Sequence, residues 1–148
     1  MYTYKKNERL ANYRLQSLLF NDGSNFFLHP FRVQWICLSH DSIKDVFPAG
    51  IHSTSTHFKY PAKCLIGASK RQLKKAVKRN RAKRLVKEAY RKNKSYFYAF
   101  LNTKGLYVLL ALIYTSKKML PFNAIEVSLQ DVLQTIMIQI GDNASDAE

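Results

Sequence analysis

Acidic residues are scarce in this sequence: 10 Asp and Glu stand against 24 Lys and Arg in 148 residues, a formal net charge of +14. A chain so unbalanced repels itself when compact unless an anionic partner offsets the charge. Nucleic acid and an anionic membrane are the two partner classes that do so. Long apolar runs are also missing. The longest, residues 106–114, falls well short of the ~20 residues that cross a bilayer and suits a buried strand. No apolar segment follows the charges of Met1-Tyr2-Thr3-Tyr4-Lys5-Lys6, so no secretory signal is read there. Cysteine is limited to Cys37 and Cys64, both in apolar stretches, the pattern of buried thiols in a reducing cytosol. The four histidines, His29, His40, His52 and His57, show neither paired cysteines nor zinc spacing; His52 and His57 read as solvated loop residues. Repeats, a glycine-rich phosphate loop and a nucleophile–base motif are all absent. Asp22, Asp41 and Asp45 fall in turn or loop contexts, so no carboxylate cluster is set to bind metals for phosphodiester hydrolysis. What remains is a 47% hydrophobic chain, too apolar for wholesale disorder and long enough to bury one real core, so residues 1–148 are expected to form a single domain.

Residues 9–20 read as a short helix with Leu15, Leu18 and Leu19 as its buried stripe, ended by the turn chemistry of Asn21-Asp22-Gly23-Ser24. In 25–39, Phe31, Val33 and Trp35 alternate with Arg32 and Gln34, the period of a strand with one buried face, and Pro30 separates a shorter strand before it. Residues 40–61 are polar and irregular, a long loop or hairpin tip. A strand is expected at 62–69, a helix without Pro or Gly at 74–92, a second short helix at 94–103 closed by Gly105, and a strand at 106–114. Pro121 and Asn123 open a last helix, in which Leu129, Val132, Leu133, Ile136, Met137 and Ile140 follow a spacing of three and four that marks a core-facing stripe. Residues 142–148 form an acidic tail expected to fray. The order, αββ(β)ααβα, is that of an α+β sandwich with helices packed on a mixed sheet.

Charge is concentrated in one place. Residues 70–94 hold 13 of the 24 basic residues and a single acid, Glu88. On a helical wheel, Ala82, Leu85, Val86, Ala89 and Tyr90 share one arc, while Asn80, Arg81, Lys83, Arg84, Lys87 and Arg91 fall largely opposite. A solvated surface helix would interleave acids for i,i+4 pairing; here like charges repel, and a polyanion that releases its counterions relieves the cost. A membrane-surface helix would show bulky residues on the apolar arc, and this arc carries two alanines. A DNA helix-turn-helix needs a helix immediately before the reading helix, where this sequence has a strand. That counts against DNA, although Arg, Lys and Asn suit the contacts of either polymer.

The stretch Ala76-Val77-Lys78-Arg79-Asn80-Arg81-Ala82-Lys83-Arg84-Leu85-Val86-Lys87-Glu88-Ala89-Tyr90-Arg91 resembles, without a gap, the signature helix of the bacterial ribonuclease P protein family: Ala-Val-x-Arg-Asn-Arg-x-Lys-Arg-Leu-x-Arg-Glu-Ala-Phe/Tyr-Arg. More loosely, Arg9-Leu10 and Leu19-Phe20 followed by Gly23 are similar to its first helix and turn, and Ile66-Gly67-Ala68-Ser69-Lys70-Arg71 to its strand ending in Ser-Lys-Lys. The resemblance implies a ribosomal-protein-like α+β fold whose basic helix makes the rare left-handed crossover between parallel strands. It implies the protein subunit of an endoribonuclease that matures the 5′ end of tRNA in the cytoplasm. The partners implied are a catalytic RNA subunit, with its Mg2+ ions, and precursor tRNA; no cofactor is expected on the protein alone, and no membrane or protein partner. Residue by residue, Arg79, Asn80, Arg81, Lys83, Arg84, Lys87 and Arg91 match the RNA-facing helix positions, Lys70 and Arg71 the basic pair before it, and Phe20 and Ser69 the cleft for the single-stranded leader. Phe20 has a rival reading as a core residue after Leu18-Leu19. The family often has a second aromatic one turn before Phe20, where this chain has Leu15 and Gln16, so one stacking platform is missing or moved to another Tyr or Phe. A non-enzymatic ribosomal or RNA-assembly protein of the same fold, and a protein-only nuclease, are the competing functions.

Overall fold

The computed structural model describes residues 8–39, 41–42 and 59–146. Its elements are α1 (Tyr13–Asp22), β1 (Ser24–Leu28), β2 (Phe31–Leu38), β3 (Ala62–Ala68), α2 (Ala76–Lys104), β4 (Tyr107–Tyr114) and α3 (Phe122–Asp146). The strands form one sheet in the order β1-β2-β4-β3. β1 and β2, and β2 and β4, pair antiparallel, while β3 and β4 run parallel with α2 between them. This mixed sheet with helices on it is the α+β sandwich the sequence implies.

The pleat sorts the core into two layers. On one face, Phe31, Val33, Trp35, Cys64, Ile66, Val108, Leu110 and Leu112 meet Ala82, Val86, Ala89 and Phe97 of α2 and Ile125, Leu129, Val132 and Ile136 of α3. On the other, Leu38, Leu109 and Ala111 meet Leu10, Leu15 and Leu19. β4 is covered on both faces, which is why it reads as an unbroken apolar run rather than an alternation. The α3 stripe is buried as its spacing predicts, with Met137 at its margin.

Several local expectations shift. α1 begins at Tyr13, not residue 9, because Leu10 N donates to Cys64 O (3.1 Å) and Asn12 Oδ1 caps the helix by accepting from Leu15 N (3.2 Å). The expected break between helices at 92–94 does not occur: α2 is one helix of 29 residues. Asn93 stays helical with Nδ2 donating to Ala89 O at 2.7 Å, and the helix stops only at Gly105, whose left-handed φ of 65° lets Leu106 N reach Leu101 O at 3.1 Å. α3 continues to Asp146, past the point where the acidic tail was expected to leave it. Strands β1 and β2 meet at His29-Pro30, as Pro30 suggested. Cys64 is buried but Cys37 only partly so, and both are free thiols. Most of the loop 40–61, with His40, His52, His57 and Asp45, lies outside the described residues.

Candidate nucleic-acid interface

β3 and β4 are parallel, so their C-terminal ends lie together, beside the start of antiparallel β2. Ser69 N donates to Tyr114 O (2.8 Å), and Thr115 N to Pro30 O (2.8 Å), tying the three strand ends into one rim. From this rim the turn at 69–75 leads into α2. Leu73 N donates to Ser69 O (2.9 Å) and Gln72 N to Ser69 Oγ (3.3 Å), so Ser69 shapes the turn that presents Lys70 and Arg71 to solvent. Arg79 reaches back: its Nη1 donates to Leu73 O and Lys74 O, both at 2.8 Å. Two carbonyls without strand or helix partners are thereby satisfied, and Arg79 braces the turn as well as belonging to the basic motif.

Further along α2 the predicted faces hold. Ala82, Val86, Ala89 and Tyr90 are buried with Leu85 partly so. Asn80, Arg81 and Arg84 are exposed, while Lys83 and Lys87 lie with half-buried stems. Among the described residues none of these five has an acidic partner. Arg91 differs: its Nε donates to Glu88 Oε2 at 2.9 Å and its Nη2 to Oε1, a fork-to-carboxylate pair one turn apart. The hydrogen bond to Arg91 holds the Glu88 carboxyl below its ordinary range. Lys92 turns toward α3, 3.8 Å from Glu126 Oε2 and 5.3 Å from the Phe122 ring centre. Lys94 points into the interior, where its ammonium pairs with the Glu8 carboxylate, and Tyr98 Oη donates to the same oxygen at 2.6 Å. The 13 basic residues of 70–94 are thus not one surface. Arg79 braces the turn, Arg91 is paired with Glu88 at the surface of its own helix, Lys92 leans toward α3 with half its side chain exposed, and only Lys94 is buried.

The structure adds a residue that the sequence reading missed. Lys117 follows β4 and lines, with Arg71, Gln72 and Lys74, an open hollow of about 540 Å3 beside the rim. The parallel pairing of β3 with β4 brings these loops together, and no local pattern signals it. Ser69 lies on the rim, bonded to Tyr114 O, whereas Phe20 lies over the middle of β2, where Gln34 pairs with Ala111. Phe20 is 48% exposed in the last turn of α1, which removes its rival reading as a core residue. Gln34 Nε2 holds the end of α1 over the sheet by donating to Leu19 O (3.1 Å) and Phe20 O (3.3 Å). Gly23 permits the turn out of α1, since a Cβ there would stand 2.4 Å from Leu19 O.

Among the described residues no three His, Cys, Asp or Glu side chains converge on a possible cation site. Within the same residues no helix is long and apolar enough to cross a membrane.

The family model for ribonuclease P matches residues 4–137. Ribonuclease P protein components from two strains of Porphyromonas gingivalis are each 30% identical over 139 residues, spanning 94% of this chain and 90% of theirs. The fold matches the ribonuclease P protein of Staphylococcus aureus, with a TM-score of 0.59 and 20% identity over 87% of this chain and 94% of that one. It also matches that of Thermotoga maritima, with a TM-score of 0.57 and 20% identity over 86% and 96%. With the signature helix in place and nearly the whole chain covered, this protein belongs to the ribonuclease P protein component family, the protein subunit of the endoribonuclease that processes tRNA.

Proposed function

We propose that α2 docks on the catalytic RNA subunit of ribonuclease P through its outward cations, and that the cleft beside the end of α1 receives the single-stranded 5′ leader of precursor tRNA. The observation that carries this reading is the row Asn80, Arg81, Lys83, Arg84 and Lys87, which has no acidic partner among the described residues and stands on a helix fixed by a buried apolar face. Four cations there, with Lys70, Arg71 and Lys117 at the rim, match a phosphate backbone. Arg contributes bidentate contacts, and Asn80 a group that bonds a ribose hydroxyl or a base edge. Phe20 offers a ring face for a leader base. Bond cleavage and its Mg2+ ions belong to the RNA subunit, in the cytoplasm, and the protein offsets repulsion between the RNA and its substrate. Membership in the family favours this role over a ribosomal or assembly protein of the same fold.

The test is reconstitution. Purified protein, cognate RNA subunit, or both are added to precursor tRNA over a range of magnesium. Protein alone should leave the substrate intact, and the pair should cleave at lower magnesium than the RNA alone. Metal-dependent cutting by rigorously RNA-free protein would place the chemistry in this chain and overturn the reading.

A further inference from the structure

Charge is unevenly placed in this chain: α3 carries no Lys or Arg, in a protein that has 24. α3 lies along the second half of α2, and the two helices run parallel. Asn93 Oδ1 accepts from Gln130 Nε2 at 2.9 Å, and a turn further on Phe97 stands beside Leu133 and Met137. These residues line an open groove of about 380 Å3 between the helices. A second hollow of about 260 Å3, lined by Phe100 and Lys104, adjoins it across Tyr96. Tyr96 is 77% exposed, and Ile138, next to Met137 on α3, is 56% exposed. Large apolar side chains gathered in one strip mark a docking face, where single scattered ones would not. The strip begins at Asn93, past Lys87 and the row of α2 cations without acidic partners.

The charges that border the strip say what covers it. On the α2 side stand Lys92 and Lys104, and on the α3 side Asp131 and Asp142, all four exposed. Among the described residues neither Asp has an ion-pair partner. Asn93 and Gln130 are 37 residues apart, and that offset sets Lys104 level with Gly141 and Lys92 level with Leu129. Each cation is thus within about 1.5–3 Å, along the helix axis, of the level of an Asp on the other helix. Cations on one border and carboxylates at matching levels on the other make the surface its own complement. A two-fold axis along the groove lays the α2 border of one copy on the α3 border of the next, and the reverse, with every level kept. Lys104 then meets Asp142 of the second copy, and Lys92 its Asp131, around a centre of Tyr96, Met137 and Ile138. Contact through the α2 cations would instead set two chains of charge +14 against each other. We propose that the α2–α3 groove is an isologous dimer interface, occupied by the same groove of a second copy. Its small extent makes the dimer a weak and reversible one.

The experiment is sedimentation equilibrium of the full chain, free of RNA, from low to high micromolar concentration. Wild type should pass reversibly from monomer to dimer. Lys104→Glu sets Glu against Asp142 twice in the dimer, and Asp142→Lys sets Lys against Lys104 twice. Each variant should weaken dimerisation about tenfold or more with a wild-type melting temperature, since both side chains are exposed. Mixing the two variants should restore the dimer, because each chain then offers the charge that the other lacks. A contact within one chain could not be repaired by mixing. Tyr96→Ala should also weaken the dimer, and all three variants should keep the wild-type salt dependence of RNA-subunit binding. A wild-type chain that stays monomeric throughout would overturn the proposal and leave the groove to a different protein. A dimer that neither charge variant weakens would place the contact elsewhere on the molecule, and a mixture that stays monomeric would remove the Lys104–Asp142 pairing; either result overturns it. A flattened salt slope for RNA with Tyr96→Ala would make the groove part of the RNA interface and refute it as well.

Discussion

Glu8→Gln should destabilise the protein severely although it changes one atom type in a side chain near the start of the chain. Glu8 and Lys94 are separated by 86 residues and form a buried pair, with side-chain exposures of 1% and 6%. Tyr98 donates to the same carboxylate, and its hydroxyl is linked to that of Tyr90 at 3.1 Å. Glutamine preserves the volume but leaves the Lys94 charge inside without its counter-charge. Breaking such a pair costs about 3–5 kcal/mol, a large part of the ~5–15 kcal/mol that holds a domain together. For a chain of this size each kcal/mol lowers Tm by about 2–4 °C, so a fall on the order of 6–20 °C is expected. Glu8→Gln combined with Lys94→Met removes both charges and should recover most of the loss, because an apolar replacement of a buried pair is often neutral or better. The assay is urea and thermal unfolding of the two single variants and the double variant, read as a cycle. A Glu8→Gln loss below about 1 kcal/mol, the range of solvent-exposed pairs, would refute the placement of this pair in a dry interior. Folded Lys94→Met protein should bind the RNA subunit as wild type does, since the Lys94 charge is not on the surface.

Three further outcomes follow from the same geometry. Phe20→Ala should cost about 1–3 kcal/mol in holoenzyme binding to leader-bearing tRNA and nothing with leaderless tRNA; equal losses with a lowered Tm would make the ring structural. Gly23→Ala should cost about 1–3 kcal/mol of stability, because its Cβ meets a backbone oxygen and α1 must move; unfolding midpoints of the variant check this. Burial raises the Cys64 thiol and the Tyr98 phenol above their ordinary values of 9.0 and 10.0, the Glu8 carboxylate adding to both. The folded state therefore keeps protons that the unfolded chain releases. Stability is whole below pH about 9 and falls above it, by about 1.4 kcal/mol per pH unit for each group, and in alkaline melts Cys64→Ala should remove the part that begins first.

What was legible in the sequence is what a single element carries. The α3 stripe, the alternation of Phe31, Val33 and Trp35, and the two arcs of α2 each follow from a local period that the packed structure keeps. Signals spread over several elements were not legible. Lys94 looks like one more cation of a basic run, and only Glu8, arriving along the edge of β3, turns it inward. Asn93 looks like a break between helices, yet its amide bonds back to Ala89 and α2 continues. Lys117 comes beside Arg71 and Lys74 through the parallel pairing of β3 with β4, which no spacing in the chain encodes. The basic helix was readable because its motif is contiguous in the chain.

The central claim is that the outward face of α2 binds the RNA subunit through phosphates, and its most direct test is the salt dependence of that binding. Affinity for the RNA subunit is measured across salt concentrations for wild type and for the triple variant Arg81→Ala, Arg84→Ala, Lys87→Ala, none of which has an acidic partner among the described residues. Each lost phosphate contact should flatten the slope of log K against log salt by about 0.7–0.9, so the triple variant should lose about 2–3 in slope while its Tm stays near wild type. An unchanged slope in a folded variant would mean that the RNA subunit binds elsewhere on the protein and would contradict the account.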